Sequence, residues 1–324
     1  FSLHAGPGVR AGYVRLSAEA RRDDEGGDAL DGSWLGPIAI AGTRPWLMGA
    51  GKAGVAPAIF LAARAESVVL ADSAAEPSLP MPLDERVERA FGRNDLALLD
   101  GIARIVISPG VPLSIPLLQA ADEAKIPIIG EIELAWRHLQ GTVIAITGSN
   151  GKSTTTALIG EIMKVAGRQP IVAGNIGEPL IAALDPERPR TYVIELSSFQ
   201  LETVDTFHAN VALLLNVTPD HMDRYPSFDA YTAAKYRIFR NQESGDTAIL
   251  NAVERRAAPR DAPVRVWRFA STQKVEEGAW LDGDEMVMSL GGEERRIPRA
   301  SLRLQGQANA ENALAAWLAA RALV

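Results

Sequence analysis

Ile144-Ala-Ile-Thr-Gly-Ser-Asn-Gly-Lys-Ser-Thr-Thr-Thr156 decides the fold class, because a β-branched apolar run passes through a glycine-bracketed turn into a Lys-Ser-Thr helix start. Val143 to Ile146 reads as a buried parallel strand, and Ser153 to Ala166 as the helix that follows. In Gly148-Ser-Asn-Gly151 the missing Cβ atoms let backbone N–H groups converge on phosphate oxygens. Lys152 adds a mobile positive charge for the outer phosphates, and Ser153 or Thr154 offers a hydroxyl to Mg²⁺. The helix points its unsatisfied N–H groups at the same anion. The motif is not a Walker A sequence, since two residues rather than four separate Gly148 from Gly151. A plain strand-to-helix turn is the alternative, and the strand before and helix after weigh against it. The chain is expected to use ATP.

The strand and helix alternation extends outward in both directions. Upstream, Trp46-Leu-Met48, Ser67 to Asp72, Ile105 to Ser108 and Ile126 to Ile129 read as strands. Val55 to Ala65, Ile115 to Ala124 and Glu131 to Leu139 read as helices. Downstream follow strands at Gln169 to Val172, Thr191 to Leu196 and Val211 to Val217, and a helix over Phe228 to Asn241. Shorter strands fill 246–303, and a closing amphipathic helix runs from Gln307 to Leu323. Such alternation predicts α/β architecture with mostly parallel sheets covered on both faces. Gln140-Gly141 is the expected boundary between a domain at 45–140 and a second at 141–324. Residues 1–44 lack sustained periodicity and are expected to be a tail.

Composition narrows the function. With 324 residues, 47% of them hydrophobic, the chain can build two cores. A net charge of −7 without a Lys/Arg run argues against nucleic acid. The absence of cysteine excludes thiolate metal sites and Cys nucleophiles, and is compatible with the cytoplasm. No apolar stretch reaches the roughly 18 residues of a membrane span, and no basic-then-apolar leader precedes the first strand.

Two polar clusters stand beside the phosphate turn. Gly49, Gly51 and Gly54 after the first strand, with Asp72 at the end of the second, match a Rossmann-type dinucleotide fingerprint, which alone is a weak signal. In the second domain Glu195 closes an apolar strand, and His221 lies in the turn Asn216-Val-Thr-Pro-Asp-His-Met-Asp-Arg224. Both fall at carboxyl ends of strands, where ligands of open sheets collect. A carboxylate and an imidazole there could complete a Mg²⁺ site. A salt-bridged Glu195 and a core or capping His221 are the alternatives.

Thr147 to Thr154, Gly174-Asn-Ile-Gly177, Glu195-Leu-Ser-Ser-Phe-Gln-Leu-Glu202, Asn216 to Arg224 and Ala233-Ala-Lys235 together resemble the Mur ligases. The resemblance covers roughly residues 46–324 and is strongest over 144–240. It implies a Rossmann-like N-terminal domain for a UDP-sugar, a P-loop-type central ATPase domain with a parallel sheet, and a C-terminal Rossmann-like domain that this chain lacks. It reassigns Gly49, Gly51, Gly54, Asp72, Ser73 and Ser108 to a uracil-nucleotide pocket in place of the dinucleotide reading. It implies that Gly148, Asn150, Gly151, Lys152, Ser153 and Thr154 hold ATP phosphates, and that Asn309 and Asn312 meet its adenosine side. Asn175, Ser197 and Gln200 would contact the UDP-muramoyl substrate. Ser153, Glu195, His221 and Lys235 would hold Mg²⁺, with Lys235 carboxylated by CO₂. Lys152, Glu195, His221 and Lys235 are thus the expected catalytic set.

Ser-Ser-Phe-Gln-Leu and Asp220-His-Met-Asp-Arg-Tyr225 resemble the member that joins D-glutamate to UDP-N-acetylmuramoyl-L-alanine through an acyl phosphate. Its expected partners are those substrates and ATP, and the chain is expected to be a cytoplasmic monomer without nucleic acid or membrane insertion. Two positions depart from the family pattern: Ala74 stands where Arg is common, and Ala308 where His is usual. Another Mur or folylpolyglutamate-type ligase and a non-catalytic nucleotide-binding fragment are the rival readings. Leu314, Trp317, Leu318 and Leu323 of the closing helix are expected to be partly uncovered.

Overall fold

Five short strands come first, and all of them run parallel. In the computed structural model, which describes residues 44–64, 67–93, 95–254 and 264–323, β1 (Pro45–Met48), β2 (Val68–Asp72), β3 (Val87–Phe91), β4 (Arg104–Ile107) and β5 (Ile128–Gly130) form a sheet in the order β3-β2-β1-β4-β5. Helices α1 (Lys52–Ala62), α2 (Pro116–Glu123) and α3 (Glu131–Trp136) connect or cover them. Chain direction reverses between β1 and β4, so the loops after those two strands open a crevice at the carboxyl edge. The tail expected over 1–44 lies outside the described residues except for Arg44.

The second sheet has nine strands in the order β14-β13-β12-β11-β10-β9-β6-β8-β7. Its parallel part comprises β6 (Gly141–Thr147), β7 (Ile171–Gly174), β8 (Arg190–Glu195), β9 (Val211–Leu214), β10 (Thr247–Asn251), β11 (Arg265–Ala270) and β12 (Gly278–Asp282). An antiparallel meander of β13 (Glu285–Leu290) and β14 (Glu293–Pro298) extends one edge. Helices α4 (Lys152–Val165), α5 (Leu180–Ala183), α6 (Ser198–Leu201), α7 (Phe228–Tyr236) and α8 (Gln307–Arg321) complete the unit. Here the reversal falls between β6 and β9, which again places a crevice beside a glycine turn. The α/β class read from the sequence, Rossmann-like and then P-loop-type, is the observed one.

Three details differ from the sequence reading. Strand β3 was not anticipated, because Glu88 and Arg89 interrupt its apolar run on an edge where both are exposed. The helix expected to reach Asn241 ends at Tyr236 and tightens into a 3₁₀ turn at Arg237–Phe239. Arg237 there donates to the carbonyls of Leu201 and Val204. The closing helix is also better covered than expected: Leu314 and Leu318 are buried against the second sheet and α4, and Trp317 and Leu323 pack half-buried beside them.

The two sheets share one core. A continuous apolar cluster takes Leu47, Leu61, Ile132 and Leu134 from the first sheet and its helices, and Ala145, Ile194, Leu201 and Phe207 from the second unit. Helix α3 adds two polar joints. Glu133 is wholly buried and accepts from the backbone N–H groups of Asp205, Thr206 and Phe207 at 2.9 to 3.1 Å, from the Thr206 hydroxyl at 2.6 Å, and from Arg137 Nε at 2.8 Å. Glu131, two residues earlier, accepts from the N–H of Ile181 at 2.7 Å, while its second oxygen is buried without a partner.

Candidate functional site

The turn after β6 places two glycines at the head of a helix, where free backbone N–H groups could take an anion. Gly148 (φ +156°) and Gly151 (φ +85°) adopt backbone that a side chain would strain, and α4 begins directly at Lys152. A Cβ at Gly151 would lie 2.3 Å from Oδ1 of Asn312, so α8 rests directly on the loop. Asn309 joins through a 3.4 Å contact with the Asn312 amide. From the other side, the Asn216 side chain accepts from the Asn150 N–H at 2.8 Å and donates to the Asn150 carbonyl at 3.0 Å. Ser149 Oγ accepts from the Thr218 N–H and lies 3.0 Å from both the Thr218 carbonyl and the Tyr231 hydroxyl. The glycine turn after β6 is therefore tied to the Asn216–Arg224 turn and to α7.

Two lysines meet on one carbonyl. Lys152 Nζ donates to the carbonyls of Gly148 and Ser149, each at 2.9 Å, and Lys235 Nζ donates to the Gly148 carbonyl at 2.8 Å. Lys235 is only 2% exposed. Burial, reinforced by the neighbouring Lys152 charge, pulls its pKa down to about 7. Burial also lowers the pKa of Lys152, against the opposing attraction of Glu195 and Asp220.

Glu195, at the end of β8 and 2% exposed, completes the group. Oε1 accepts from the Asn175 amide at 2.8 Å, and the Asn175 N–H donates to the Glu195 carbonyl at 2.8 Å. Oε2 is buried with no partner. The orphaned Glu195 oxygen and the hydroxyl of exposed Ser153 at the start of α4 are each oxygen donors of the kind a hard cation takes. Among the described residues no three His, Asp or Glu cluster as a metal cage.

Other expected residues fall into place unevenly. His221 has φ +54° and an exposed ring 4.9 Å from the Phe199 ring, with Asp220 Oδ2 3.6 Å from its Nε2. Thr154 is half-buried in the first turn of α4. Ser197 and Gln200 form a capping box on α6: Gln200 Oε1 accepts from the Ser197 N–H, and Ser197 Oγ accepts from the Gln200 N–H. Their faces toward a ligand are thereby reduced to the Gln200 amide nitrogen and the remaining Ser197 lone pair.

The second glycine turn gathers the first-sheet residues. Gly49 (φ +98°) receives a hydrogen bond on its carbonyl from Ser108 Oγ at 3.2 Å. A Cβ on Gly54 would come within 1.7 Å of the Gly49 carbonyl oxygen. Asp72 accepts from the N–H of Ala50 at 2.7 Å and of Ala74 at 2.9 Å, fixing the turn. Gly51 faces open space at the head of α1, and Ser73 is exposed with no hydrogen bond shown. This crevice and the phosphate turn are linked by Arg224, whose guanidinium donates to the carbonyls of Pro109, Gly110 and Val111. Sequence reasoning passed over Arg224, Ser149 and Asn216 as individual residues. Their partners lie 66 to 115 positions away, so no local pattern signals them.

The family described as "Mur ligase middle domain" matches residues 146–320, and "Mur ligase MurD-like, N-terminal domain" matches 44–130. A protein of Pelotomaculum thermopropionicum named UDP-N-acetylmuramoylalanine--D-glutamate ligase is 43% identical over 286 residues, covering 86% of this chain and 63% of its own length. A protein of the same name from Syntrophus aciditrophicus is 44% identical, covering 87% and 64%. The chain thus spans a little under two thirds of these relatives. Among solved structures, the Neisseria UDP-N-acetylmuramate:L-alanyl-gamma-D-glutamyl-meso-diaminopimelate ligase superposes with a TM-score of 0.56 at 21% identity, covering 87% of this chain and 94% of that one. At that identity the likeness establishes the fold.

Proposed function

This chain belongs to the Mur ligase family, and from that premise we propose that it serves the ATP-dependent joining of D-glutamate to UDP-N-acetylmuramoyl-L-alanine, a step in peptidoglycan precursor synthesis. The names of its relatives at 43% and 44% identity support the substrate pair. The observation that carries the reading is that the half-buried Lys152 amine and the buried Lys235 amine share the Gly148 carbonyl, with Lys152 in the field of Glu195, whose second carboxylate oxygen is buried without a partner. Such a set has no structural use by itself, and suits a polyphosphate with its metal.

On this reading Lys152 leaves the Gly148 and Ser149 carbonyls to meet the β- and γ-phosphates, while the amides opening α4 hold the remaining oxygens. Asn309 and Asn312 hold the adenosine side, and the turn Gly49 to Gly54 with Asp72, Ser73 and Ser108 holds the uridine nucleotide. Asn175, Ser197 and Gln200 orient the alanine end. Glu195 and Ser153 would hold Mg²⁺, assisted by His221 and a modified Lys235. When bound, that ion neutralises charge on the transferring phosphoryl group. The alanine carboxylate oxygen attacks the γ-phosphorus, and ADP departs. The D-glutamate amine then attacks the acyl phosphate carbonyl, losing a proton as phosphate leaves.

Lys235 belongs to this reading as a carbamate. Two ammonium groups sharing one carbonyl repel each other, and an ammonium has no lone pair for a cation. Addition of the neutral amine to CO₂, with loss of one proton, would replace the second positive charge by an anionic oxygen. A carbamate carbon resonance at Lys235 under ¹³C-labelled CO₂, absent in Lys235→Ala, is the expected result. No such resonance would remove this part of the reading.

Among the described residues no helix is long and apolar enough to cross a membrane. Action as a monomer in the cytoplasm is part of the proposal. Calorimetric titration tests the two pockets: UDP-N-acetylmuramoyl-L-alanine and Mg²⁺ with a non-hydrolysable ATP analogue should each bind at one site. An absence of either binding event would sink the assignment. This chain alone is expected not to form the amide; in turnover assays of a form that also carries the family's C-terminal domain, ADP release should require D-glutamate, and equal release with other amino acids would favour a different ligase of the family.

A further inference from the structure

We propose that Arg224 is a positioning residue that couples the uridine-nucleotide crevice to the phosphate loop, so that each ligand raises the affinity of the other. The inference rests on the two-pocket reading above and goes beyond it. Arg224 Nη1 donates to the Gly110 carbonyl at 3.0 Å, and Nη2 donates to the Val111 carbonyl at 3.1 Å and the Pro109 carbonyl at 3.3 Å. Those three carbonyls follow Ser108 directly, and Ser108 Oγ grips the Gly49 carbonyl in the glycine turn of the first sheet.

The other end of Arg224 is anchored equally closely. Its N–H donates to the His221 carbonyl at 3.0 Å, closing the turn in which His221 takes its left-handed backbone. Three residues before His221, Thr218 donates its N–H to Ser149 of the phosphate loop. The guanidinium also lies 4.4 Å over the Phe199 ring and 3.7 Å from Glu202, both on or beside α6, which follows Glu195. Arg224 thus joins the loop after β4 to the capped helix through its guanidinium, and to the His221 turn through its own backbone.

The chemistry of the contact favours coupling over simple adhesion. A guanidinium fork fits several carbonyls only in one relative placement, whereas a flexible ammonium would follow small shifts. Among the described residues, the joints made by Glu131, Glu133 and the Gly130 N–H, which donates to the Thr203 carbonyl, lie at α3 or just before it and touch neither glycine turn. Movement of the Ser108–Val111 segment on nucleotide binding would therefore be passed to the His221 turn through Arg224. By reciprocity, ordering of the phosphate loop would be felt at Gly49.

The test measures the affinity of this chain for UDP with and without Mg²⁺ and a non-hydrolysable ATP analogue, by calorimetry. The unaltered chain should bind UDP about tenfold more tightly when the second site is filled, within the usual range of such couplings. Arg224→Met should keep each separate affinity within about twofold and lose the coupling, and Arg224→Lys should retain an intermediate factor. A merely structural arginine would instead weaken both separate affinities together and leave their ratio unchanged. Independent binding in the unaltered chain would overturn the inference, a result that needs no variant to fold. Full coupling in Arg224→Lys would overturn it as well. Failure of UDP or the ATP analogue to bind at all would overturn the two-pocket reading itself, and the inference with it.

Discussion

Replacing Glu133 by Gln should loosen the junction of the two sheets more than any surface change. The carboxylate receives three backbone N–H groups, a hydroxyl and an arginine, and is fully buried. Burial pushes its pKa upward, but the Thr206 hydroxyl, the Asp205 amide and Arg137 outweigh it and leave the pKa below the ordinary carboxylate value. The glutamine keeps the volume and one acceptor, but turns an NH₂ toward groups that already donate and removes the charge that Arg137 Nε meets at 2.8 Å, while Asp205 stays 3.9 Å from the same guanidinium. Breaking a buried pair by removing one partner costs about 3 to 5 kcal/mol, and the retained oxygen lowers the expected loss to about 2 to 4 kcal/mol. For a chain of this size that is a fall in melting temperature of roughly 3 to 6 °C. A depressed folded pKa means that this stabilisation is present above the unfolded pKa and is lost as pH falls through the folded value, so the difference between wild type and Glu133→Gln should shrink in acid. Urea melts and calorimetry at neutral and acidic pH give both quantities. A change under about 0.5 kcal/mol at neutral pH would show that the Glu133 cradle is not a principal joint.

Glu131 should respond to pH in the opposite direction. Burial raises its pKa to about 7, so the folded chain holds this proton more tightly than the unfolded chain does, and its stability falls as pH rises between the two values. Glu131→Gln should therefore gain about 2 to 3 kcal/mol relative to wild type between pH 5 and pH 8; urea melts showing a constant difference would contradict this. Lys152→Ala should weaken binding of Mg²⁺ and an ATP analogue by about 10- to 100-fold while leaving UDP binding nearly unchanged. Equal losses at both sites in titrations would argue against separate pockets. Gly54→Ala places a Cβ 1.7 Å from the Gly49 carbonyl oxygen, so α1 must shift and UDP binding should be lost; a variant that still binds UDP with native affinity would show that this crevice is not the nucleotide site.

Much of this was legible because the informative residues sit where strands end. The run into Gly148, the acid closing β8 and the polar turn after β9 each announce a carboxyl-edge position from local pattern alone. Strand β3 was hidden because an edge strand can carry Glu88 and Arg89 on exposed positions. Strand β7 begins at Ile171 rather than Gln169, as Pro170 has no N–H for the ladder. The early end of α7 depends on Arg237 finding carbonyls of Leu201 and Val204, more than thirty positions back. Ser197-Ser-Phe-Gln200 carries a visible capping signature, and that signature explains why these side chains hold each other. The contacts of Arg224 and Asn216 are tertiary facts, set by which strands become neighbours.

The apolar cluster that runs from Leu47 to Leu250 without a break also bears on how the gene could be dissected. A polypeptide stopped after Gln140 would keep all five strands of its sheet, yet would present Leu61, Ile132 and Leu134 to water. Such a half should be recovered in inclusion bodies rather than as a nucleotide-binding module. A protease, for the same reason, should find no early cleavage between α3 and β6, and the two crevices should be inherited, exchanged or lost as a pair.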